Sequence, residues 1–317
     1  MALFKFFQKK RQLTYYILLG IGFALLGIGF ASSCRDSQPS HNEPLPLHNE
    51  PLHSSDNWKN PEEIASTNKP AKVLFVFLHG TTMNGKKHRD SKVINDMQQK
   101  FPDWHFMLPN GAYPADATLC RVMGTEFQHD PSKRQFVSLK CIESIMRKVY
   151  DKPSLSIEKW ETLYKQNKSS FNEMSTELER ESRPLMELIK KKQKILNLTN
   201  KDTIIAGYSQ GAMLGLHLTL TQKEPFLGMV NFSGFLVEPK EYKNNATPIY
   251  FINGTLDKII PIATLETAKE QLAKKGIKPV FEKLDGQDHV VYLSNNLEKW
   301  LRQLRYTLPR RNHRGRA

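Results

Sequence analysis

The pentapeptide Gly-Tyr-Ser-Gln-Gly at residues 207–211 constrains the fold of this chain more than any other stretch. An apolar run at 202–206 precedes it, and an amphipathic run begins at Ala212. This context predicts a buried strand, a sharp turn and a helix, with the Ser209 hydroxyl exposed where the strand ends. Glycine fits on both sides, because a Cβ there would crowd the crossing of strand and helix. The pentapeptide therefore predicts a nucleophilic serine on a strand–turn–helix unit.

Strand-like and helix-like segments alternate through most of the chain. The strand candidates are continuous apolar runs, which are typical of strands buried on both faces. Their alternation with helices predicts an α/β fold, with a mostly parallel central sheet and helices on both faces. In such sheets, reactive side chains gather at the carboxyl ends of the strands. The predicted strands are 72–78, 104–108, 203–206, 227–232, 248–252 and 279–284, and the predicted helices are 89–100, 184–196, 210–222, 261–275 and 290–305.

A serine nucleophile needs a histidine to accept its proton and a carboxylate to orient that histidine. Asp257 and His289 each follow a predicted strand, and they come after Ser209 in that order. Asp285 and Asp288 are alternative orienting acids, although Asp288 is adjacent to His289 and poorly placed to reach its ring. We predict a catalytic triad of Ser209, Asp257 and His289.

The loop after the first long predicted strand, Leu-His-Gly-Thr at residues 78–81, is expected to approach the nucleophile. In this arrangement the oxyanion hole is formed by a backbone N–H from that loop and by the N–H of the residue after the serine. The predicted donors are therefore Thr81 and Gln210. We interpret His79 as a structural residue that orients the loop, and His217 as a packing residue within its helix.

Several stretches together resemble the phospholipase/carboxylesterase family of α/β-hydrolases, which includes the acyl-protein thioesterases. The resemblance implies the α/β-hydrolase fold, a Ser209–Asp257–His289 triad, and hydrolysis of carboxylic esters or thioesters through an acyl-enzyme. Asp288 departs from it, because the family usually has glycine there. The stretches that carry the family resemblance are 78–80, 207–211, 254–261 and 288–289, and the resemblance covers about 70–115 and 184–305. Two loops, 80–85 and 109–112, are closer to polyhydroxyalkanoate-depolymerase-like and feruloyl-esterase-like enzymes.

Within a catalytic domain at 70–308, residues 116–183 are longer than a simple strand–helix connection requires. Their helical stretches predict a helical insert, which is either a lid over the site or a peripheral packing element. Cys120 and Cys141 lie in this insert. In an exported protein such a pair predicts a disulfide, with two buried thiols as the alternative.

The amino end predicts export or anchoring. Residues 12–34 carry no charge and are long enough as a helix to cross a bilayer of about 30 Å. The basic residues before them orient the rest of the chain outside the cytoplasm, in a bacterial periplasm or at the cell surface. Residues 1–34 are then a retained membrane anchor, a cleaved signal that leads to secretion, or a lipoprotein signal. The third alternative rests on Ala-Ser-Ser-Cys at 31–34, which resembles a lipobox and would be lipidated at Cys34.

Residues 35–69 are predicted to be a flexible linker, because they contain repeated prolines and two copies of His-Asn-Glu-Pro-Leu. Residues 309–317 form a basic tail, which is either frayed or attracted to anionic lipid. Residues 1–16 and 302–317 contain ten of the 46 Lys and Arg and no acid, so the net charge of +14 lies mostly at the ends. The body is close to neutral, and we predict no nucleic-acid partner.

The leading hypothesis is a membrane-tethered serine esterase that acts on a small-molecule or lipid-like ester. A serine peptidase on the same fold and a non-catalytic binding module are the alternatives from other classes. The sequence has neither clustered Cys/His spacing nor a Gly-rich phosphate loop, so we predict no metal and no organic cofactor. The oligomeric state is left open.

Overall fold

The structure, a computed structural model, describes residues 58, 60–126, 130 and 132–306, and the side chains of 305 and 306 are not described. The predicted anchor at 1–34 with Cys34, the linker up to residue 57 and the tail at 309–317 lie outside the described residues. None of the helices within the described ranges has the length and apolar content that a membrane span requires.

Strands and helices alternate along the described chain as the sequence predicts. The strands are β1 (Glu62–Ile64), β2 (Val73–Leu78), β3 (Trp104–Leu108), β4 (Tyr113–Pro114), β5 (Arg134–Gln135), β6 (Thr203–Tyr208), β7 (Gly228–Phe232), β8 (Ile249–Gly254) and β9 (Val280–Leu284). The helices are α1 (Gly85–Arg89), α2 (Lys92–Lys100), α3 (Thr118–Met123), α4 (Glu143–Val149), α5 (Ile157–Gln166), α6 (Lys168–Leu196), α7 (Gln210–Thr221), α8 (Ala263–Ala273) and α9 (Asn295–Tyr306).

The main sheet of the described residues has seven strands in the order β1-β3-β2-β6-β7-β8-β9. Every neighbouring pair is parallel except β1 with β3. Leu78 therefore pairs with Gly207, and Tyr208 pairs with Phe232, at the same edge of the sheet. The prediction of a mostly parallel sheet is confirmed, and the register brings the ends of β2, β6 and β7 together.

Both faces of the sheet are buried. In β2, Leu74, Val76 and Leu78 belong to one apolar cluster, and the alternate residues belong to a second cluster on the opposite face. The first cluster includes residues of α6, α7 and α8, and the second includes residues of α2 and α9. Burial on two faces explains why these strands are continuous apolar runs.

The predicted linker boundary at residue 69 is wrong, because the folded domain begins earlier. Trp58 is 2% exposed and stacks on Phe136, with 5.4 Å between the ring centroids. Residues 62–64 form β1, which pairs antiparallel with β3 at the sheet edge. A three-residue edge strand is too short to produce a recognisable apolar period, so the sequence offers little signal for it.

The predicted insert boundary at residue 183 falls inside α6, a continuous helix of 29 residues that contains Pro184. Leu178 and Leu185 lie on either side of this boundary, and both are fully buried in the same apolar cluster. Phe136 and Val137 of the insert are also fully buried. This part of the insert packs into the apolar core of the domain, and a role of the insert as a lid stays a prediction.

The predicted disulfide is wrong. Cys120 in α3 and Cys141 in the 3-10 turn that precedes α4 are both free within the described part of the chain. Cys141 packs against the apolar cluster, and burial raises the pKa of its thiol to about 12. Both thiols are only partly buried, so the alternative of two buried thiols is met in part.

Candidate active site

Ser209 occupies the turn between β6 and α7 with φ 53° and ψ −119°. A non-glycine residue rarely adopts this backbone conformation, which costs on the order of 1–3 kcal/mol. The surrounding backbone holds it: the Ser209 N–H donates to the Phe232 carbonyl at 2.9 Å, and the Ser209 carbonyl accepts from the Ala212 N–H at 3.0 Å. The surrounding structure therefore holds Ser209 in an unfavourable backbone conformation, which places its side chain at the carboxyl edge of the sheet.

The glycines around Ser209 are required sterically. A Cβ on Gly207 would overlap the carbonyl group of Gly211. A Cβ on Gly211 would overlap the carbonyl oxygens of Leu78 and His79 at the end of β2. The start of α7 therefore passes directly over two strand ends, as the pentapeptide predicts.

Asp257 and His289 form a hydrogen bond of 2.7 Å between Oδ2 and Nδ1. Asp257 is fully buried in the loop after β8, and its Oδ1 accepts the N–H groups of Ile259 at 2.9 Å and Ile260 at 2.8 Å. These two bonds fix the carboxylate and direct its other oxygen at the imidazole. The Asn253 amide adds a longer contact of 3.4 Å to Oδ2.

His289 lies beside the residue that precedes Ser209. The Tyr208 hydroxyl donates to the His289 carbonyl at 3.0 Å, and the two ring centroids are 4.9 Å apart. Because Nδ1 is bonded to Asp257, Nε2 is the ring nitrogen left to take part in proton transfer. This role of Tyr208 was not predicted from the sequence, although the residue lies within the Gly-Tyr-Ser-Gln-Gly pentapeptide.

The other two acids near His289 have different partners. Asp288 Oδ1 accepts the N–H groups of Lys258 at 3.1 Å and His289 at 2.8 Å, so it bonds to backbone. Asp285 Oδ1 accepts from the Thr255 hydroxyl at 3.3 Å. Among the described contacts, the imidazole is bonded to Asp257, as we expected from the spacing of these residues.

The loop after β2 approaches Ser209 closely. A Cβ on Gly80 would lie 2.9 Å from the Tyr208 ring and 3.4 Å from the Ser209 Cβ. Within the described residues, the Thr81 N–H finds no protein acceptor, whereas the next N–H, from Thr82, donates to the Arg134 carbonyl at 3.0 Å. Gln210 is the first residue of α7, where N–H groups have no partner within the helix. The loop that carries Thr81 and the first residue of α7 therefore both lie next to Ser209, and the role of the Thr81 and Gln210 N–H groups as oxyanion donors stays a prediction.

His79 is fully buried and bridges two loops. Its Nε2 accepts the Gly111 N–H at 2.8 Å, so Nδ1 carries the proton and donates to the Gly80 carbonyl at 2.7 Å. Burial lowers the pKa of His79 to about 3, which keeps the ring neutral near pH 7. These bonds agree with the interpretation of His79 as a structural residue that orients the loop.

Three of the four buried histidines of the described residues, in which burial lowers the pKa most, make the stability of the fold sensitive to acid. Burial lowers the pKa of His79 to about 3 and the pKa values of His88 and His217 to about 4. Below pH 6.5 the unfolded chain binds more protons than the folded one, so the free energy of unfolding falls as the pH falls. Each histidine contributes up to about 1.4 kcal/mol per pH unit.

We expect urea unfolding to show clearly lower stability at pH 5 than at pH 7. A His217→Leu variant, which removes one of the three titrating groups, should show a shallower pH dependence. Equal stability of the natural protein at pH 5 and pH 7 would contradict the burial of these rings as neutral species.

Within the described ranges, no cluster of three or more His, Cys, Asp or Glu side chains has the arrangement of a metal site. The residues gathered at the sheet edge are a serine, an Asp–His pair and a loop in which the Thr81 N–H has no acceptor among the described residues. This set is suited to nucleophilic acyl transfer.

The seven-stranded sheet and the serine turn between β6 and α7 define the α/β-hydrolase fold. The family model of the phospholipase/carboxylesterase family matches residues 123–307, which is more than half of the chain. The chain therefore belongs to the phospholipase/carboxylesterase family, whose members are hydrolases.

Solved structures show the same architecture. Esterase PE8 is 22% identical, with a TM-score of 0.52 over 77% of this chain and 98% of that chain. SOBER1 from Arabidopsis thaliana is 16% identical, with a TM-score of 0.52 over 74% of this chain and 98% of that chain. The carboxylesterase from Bacillus cereus is 13% identical, with a TM-score of 0.50 over 77% and 93%. At these identities the likeness shows a shared fold.

Proposed function

We propose that this hydrolase is a serine esterase, which cleaves carboxylic ester or thioester bonds through an acyl-enzyme on Ser209. The observation that carries the proposal is the buried Asp257–His289 hydrogen bond of 2.7 Å, which lies beside the strained turn that bears Ser209. Strained backbone at a buried polar cluster is typical of active sites. An Asp–His pair of this kind holds the imidazole in the tautomer that accepts a proton at Nε2.

The reaction follows from these roles. Ser209 Oγ attacks the carbonyl carbon, and His289 Nε2 accepts the hydroxyl proton. The oxyanion accepts hydrogen bonds from the Thr81 and Gln210 N–H groups. Collapse of the tetrahedral species breaks the bond to the alcohol or thiol, which takes the proton from His289. Water then attacks the acyl-enzyme by the same route, and the carboxylic acid is released.

Two exposed apolar side chains support a substrate with an apolar part. Leu256 is 51% exposed and precedes Asp257, while Tyr292 is 49% exposed and follows His289 by three residues. Four large apolar side chains of the described chain are exposed, and two of the four, Leu256 and Tyr292, flank the Asp257–His289 pair, which favours contact with a ligand there. We therefore propose a small-molecule or lipid-like ester as the substrate class.

We also propose that the enzyme works outside the cytoplasm, tethered to a membrane or secreted. The support is the uncharged stretch at 12–34 and the basic residues that precede it. Mass analysis of the mature amino end separates a retained anchor, a cleaved signal and lipidation at Cys34. An unmodified amino end on a cytoplasmic protein would contradict this proposal.

A substrate panel tests the proposed reaction. The full chain is assayed with p-nitrophenyl esters of increasing acyl length, with acyl thioesters and with peptide substrates. We expect hydrolysis of esters or thioesters, and no cleavage of peptides. Cleavage of peptides alone would favour a serine peptidase. A folded protein that hydrolyses none of these substrates would favour a binding module and contradict the proposal.

A further inference from the structure

The side chain of Gln210 has a buried set of partners that the proposed reaction does not use. It is 1% exposed. Its Oε1 accepts the Phe136 N–H at 2.7 Å, and its Nε2 donates to the Val137 carbonyl at 2.7 Å. Both ends of the amide are thus bonded to the backbone of the insert, 73 to 74 residues away in sequence.

Phe136 transmits this attachment to the loop after β2. Its ring lies 4.4 Å from the His79 ring, measured between centroids. His79 in turn bonds to the Gly80 carbonyl and to the Gly111 N–H. A continuous series of contacts therefore runs from the Gln210 amide to the backbone next to Thr81.

The other end of the same insert segment holds the loop directly. The Arg134 carbonyl accepts the Thr82 N–H at 3.0 Å, and the Arg134 N–H donates to the Met83 carbonyl at 2.9 Å. Segment 134–137 therefore contacts the loop at 79–83 through backbone at Arg134 and through packing of the Phe136 ring on His79. Without the Gln210 amide, the Phe136 end of the segment loses three hydrogen bonds to α7, the third being a longer one of 3.4 Å from the Val137 N–H to Oε1.

We propose that the Gln210 side chain is a positioning residue, which fixes segment 134–137 against the loop at 79–83 and thereby holds the Thr81 N–H in place. One residue would then contribute to both halves of the oxyanion site, by its own N–H and by the placement of the other donor. This inference rests on the proposed function. Oxyanion donors act only when they are preorganised, and loss of one costs about 10²- to 10³-fold in kcat.

The direct test is Gln210→Met, which keeps the backbone N–H and the approximate volume but removes the amide. We expect kcat to fall about 10- to 100-fold with KM nearly unchanged, because the disturbed contact acts in the transition state. Gln193→Met is the matched control. Gln193 is also buried, at 6% exposure, and its Nε2 donates to Asn200 and Thr203 away from the site. The Gln193→Met variant should lower the free energy of unfolding and leave kcat of the folded enzyme unchanged.

A second measurement does not depend on activity. Amide hydrogen exchange should become faster in Gln210→Met within both 134–137 and 79–83, and it should not do so in Gln193→Met. If the natural enzyme hydrolyses no ester while exchange changes as expected, the proposed function fails and the positioning role stands. Unchanged exchange at 79–83, or equal kcat in the two variants, would overturn the inference.

Gln210→Glu keeps the test decisive if Gln210→Met does not fold. Glutamate retains the oxygen that accepts from Phe136 but, once ionised, cannot donate to the Val137 carbonyl. Burial favours the protonated carboxyl, which can still donate. We expect the activity of this variant, relative to the natural enzyme, to decrease as the pH rises and its carboxyl ionises. A pH profile parallel to that of the natural enzyme would overturn the inference.

Discussion

Replacement of Ser209 by alanine is expected to lower kcat for ester hydrolysis by about 10⁶-fold, as loss of a triad serine does in related chemistry. The change removes the atom that forms the acyl-enzyme. It should preserve the fold, because the described hydrogen bonds that hold the turn use the backbone of Ser209. Steady-state rates and thermal unfolding of the purified variant check both parts of this expectation.

Ser233 provides a matched control for this variant. It follows β7 as Ser209 follows β6, has φ 51° and is fully buried, and its N–H donates to the Ile252 carbonyl at 3.0 Å. Ser233→Ala therefore removes a hydroxyl from a similar strained turn one strand away. We expect its kcat to stay within a few-fold of the natural enzyme. Similar activity of the two variants would mean that Ser209 is not the nucleophile.

Replacement of Asp257 by asparagine is expected to lower kcat by about 10⁴-fold, with little change in structure. The N–H groups of Ile259 and Ile260 need an acceptor, so the asparagine oxygen must take the place of Oδ1. Its NH2 group then faces Nδ1 of His289 and stabilises the tautomer with the proton on Nε2, which cannot accept the serine proton. The ratio of kcat values for variant and natural enzyme measures this effect.

Asp288→Asn is the control for the identity of the orienting acid. Its Oδ1 accepts the N–H groups of Lys258 and His289, and an asparagine oxygen can accept both bonds equally well. We expect a loss of no more than about tenfold. If Asp288→Asn costs as much as Asp257→Asn, the assignment of the orienting acid is wrong.

The central part of the fold could be predicted because its signals are local. β2, β6, β7 and β8 are continuous apolar runs, and a strand buried on both faces leaves little freedom for other residue types. Thr81, Ser209 and Asp257 follow β2, β6 and β8, and His289 follows β9. Since parallel strands present their carboxyl ends at one edge, the order of the residues along the chain was enough to bring Asp257 and His289 together.

The insert could not be predicted with the same success, because its placement depends on tertiary contacts. A proline inside a helix normally interrupts it, yet α6 continues through Pro184 with Leu178 and Leu185 buried on one face. A buried face of this length offsets the local cost of about 3 kcal/mol for proline. Phe136 is held by the side chain of Gln210, a contact that no periodicity in either segment reveals. The two cysteines likewise share a segment without being bonded.

The most direct test of the central claim is covalent labelling of the full chain with a fluorophosphonate, followed by intact mass and peptide mapping. This reagent reacts with activated serine hydroxyls and resembles the tetrahedral species of ester hydrolysis. We predict one adduct, on the peptide that contains Ser209, which is absent in Ser209→Ala and forms far more slowly in Asp257→Asn. Labelling at another residue, together with ester hydrolysis that persists in Ser209→Ala, would contradict the account.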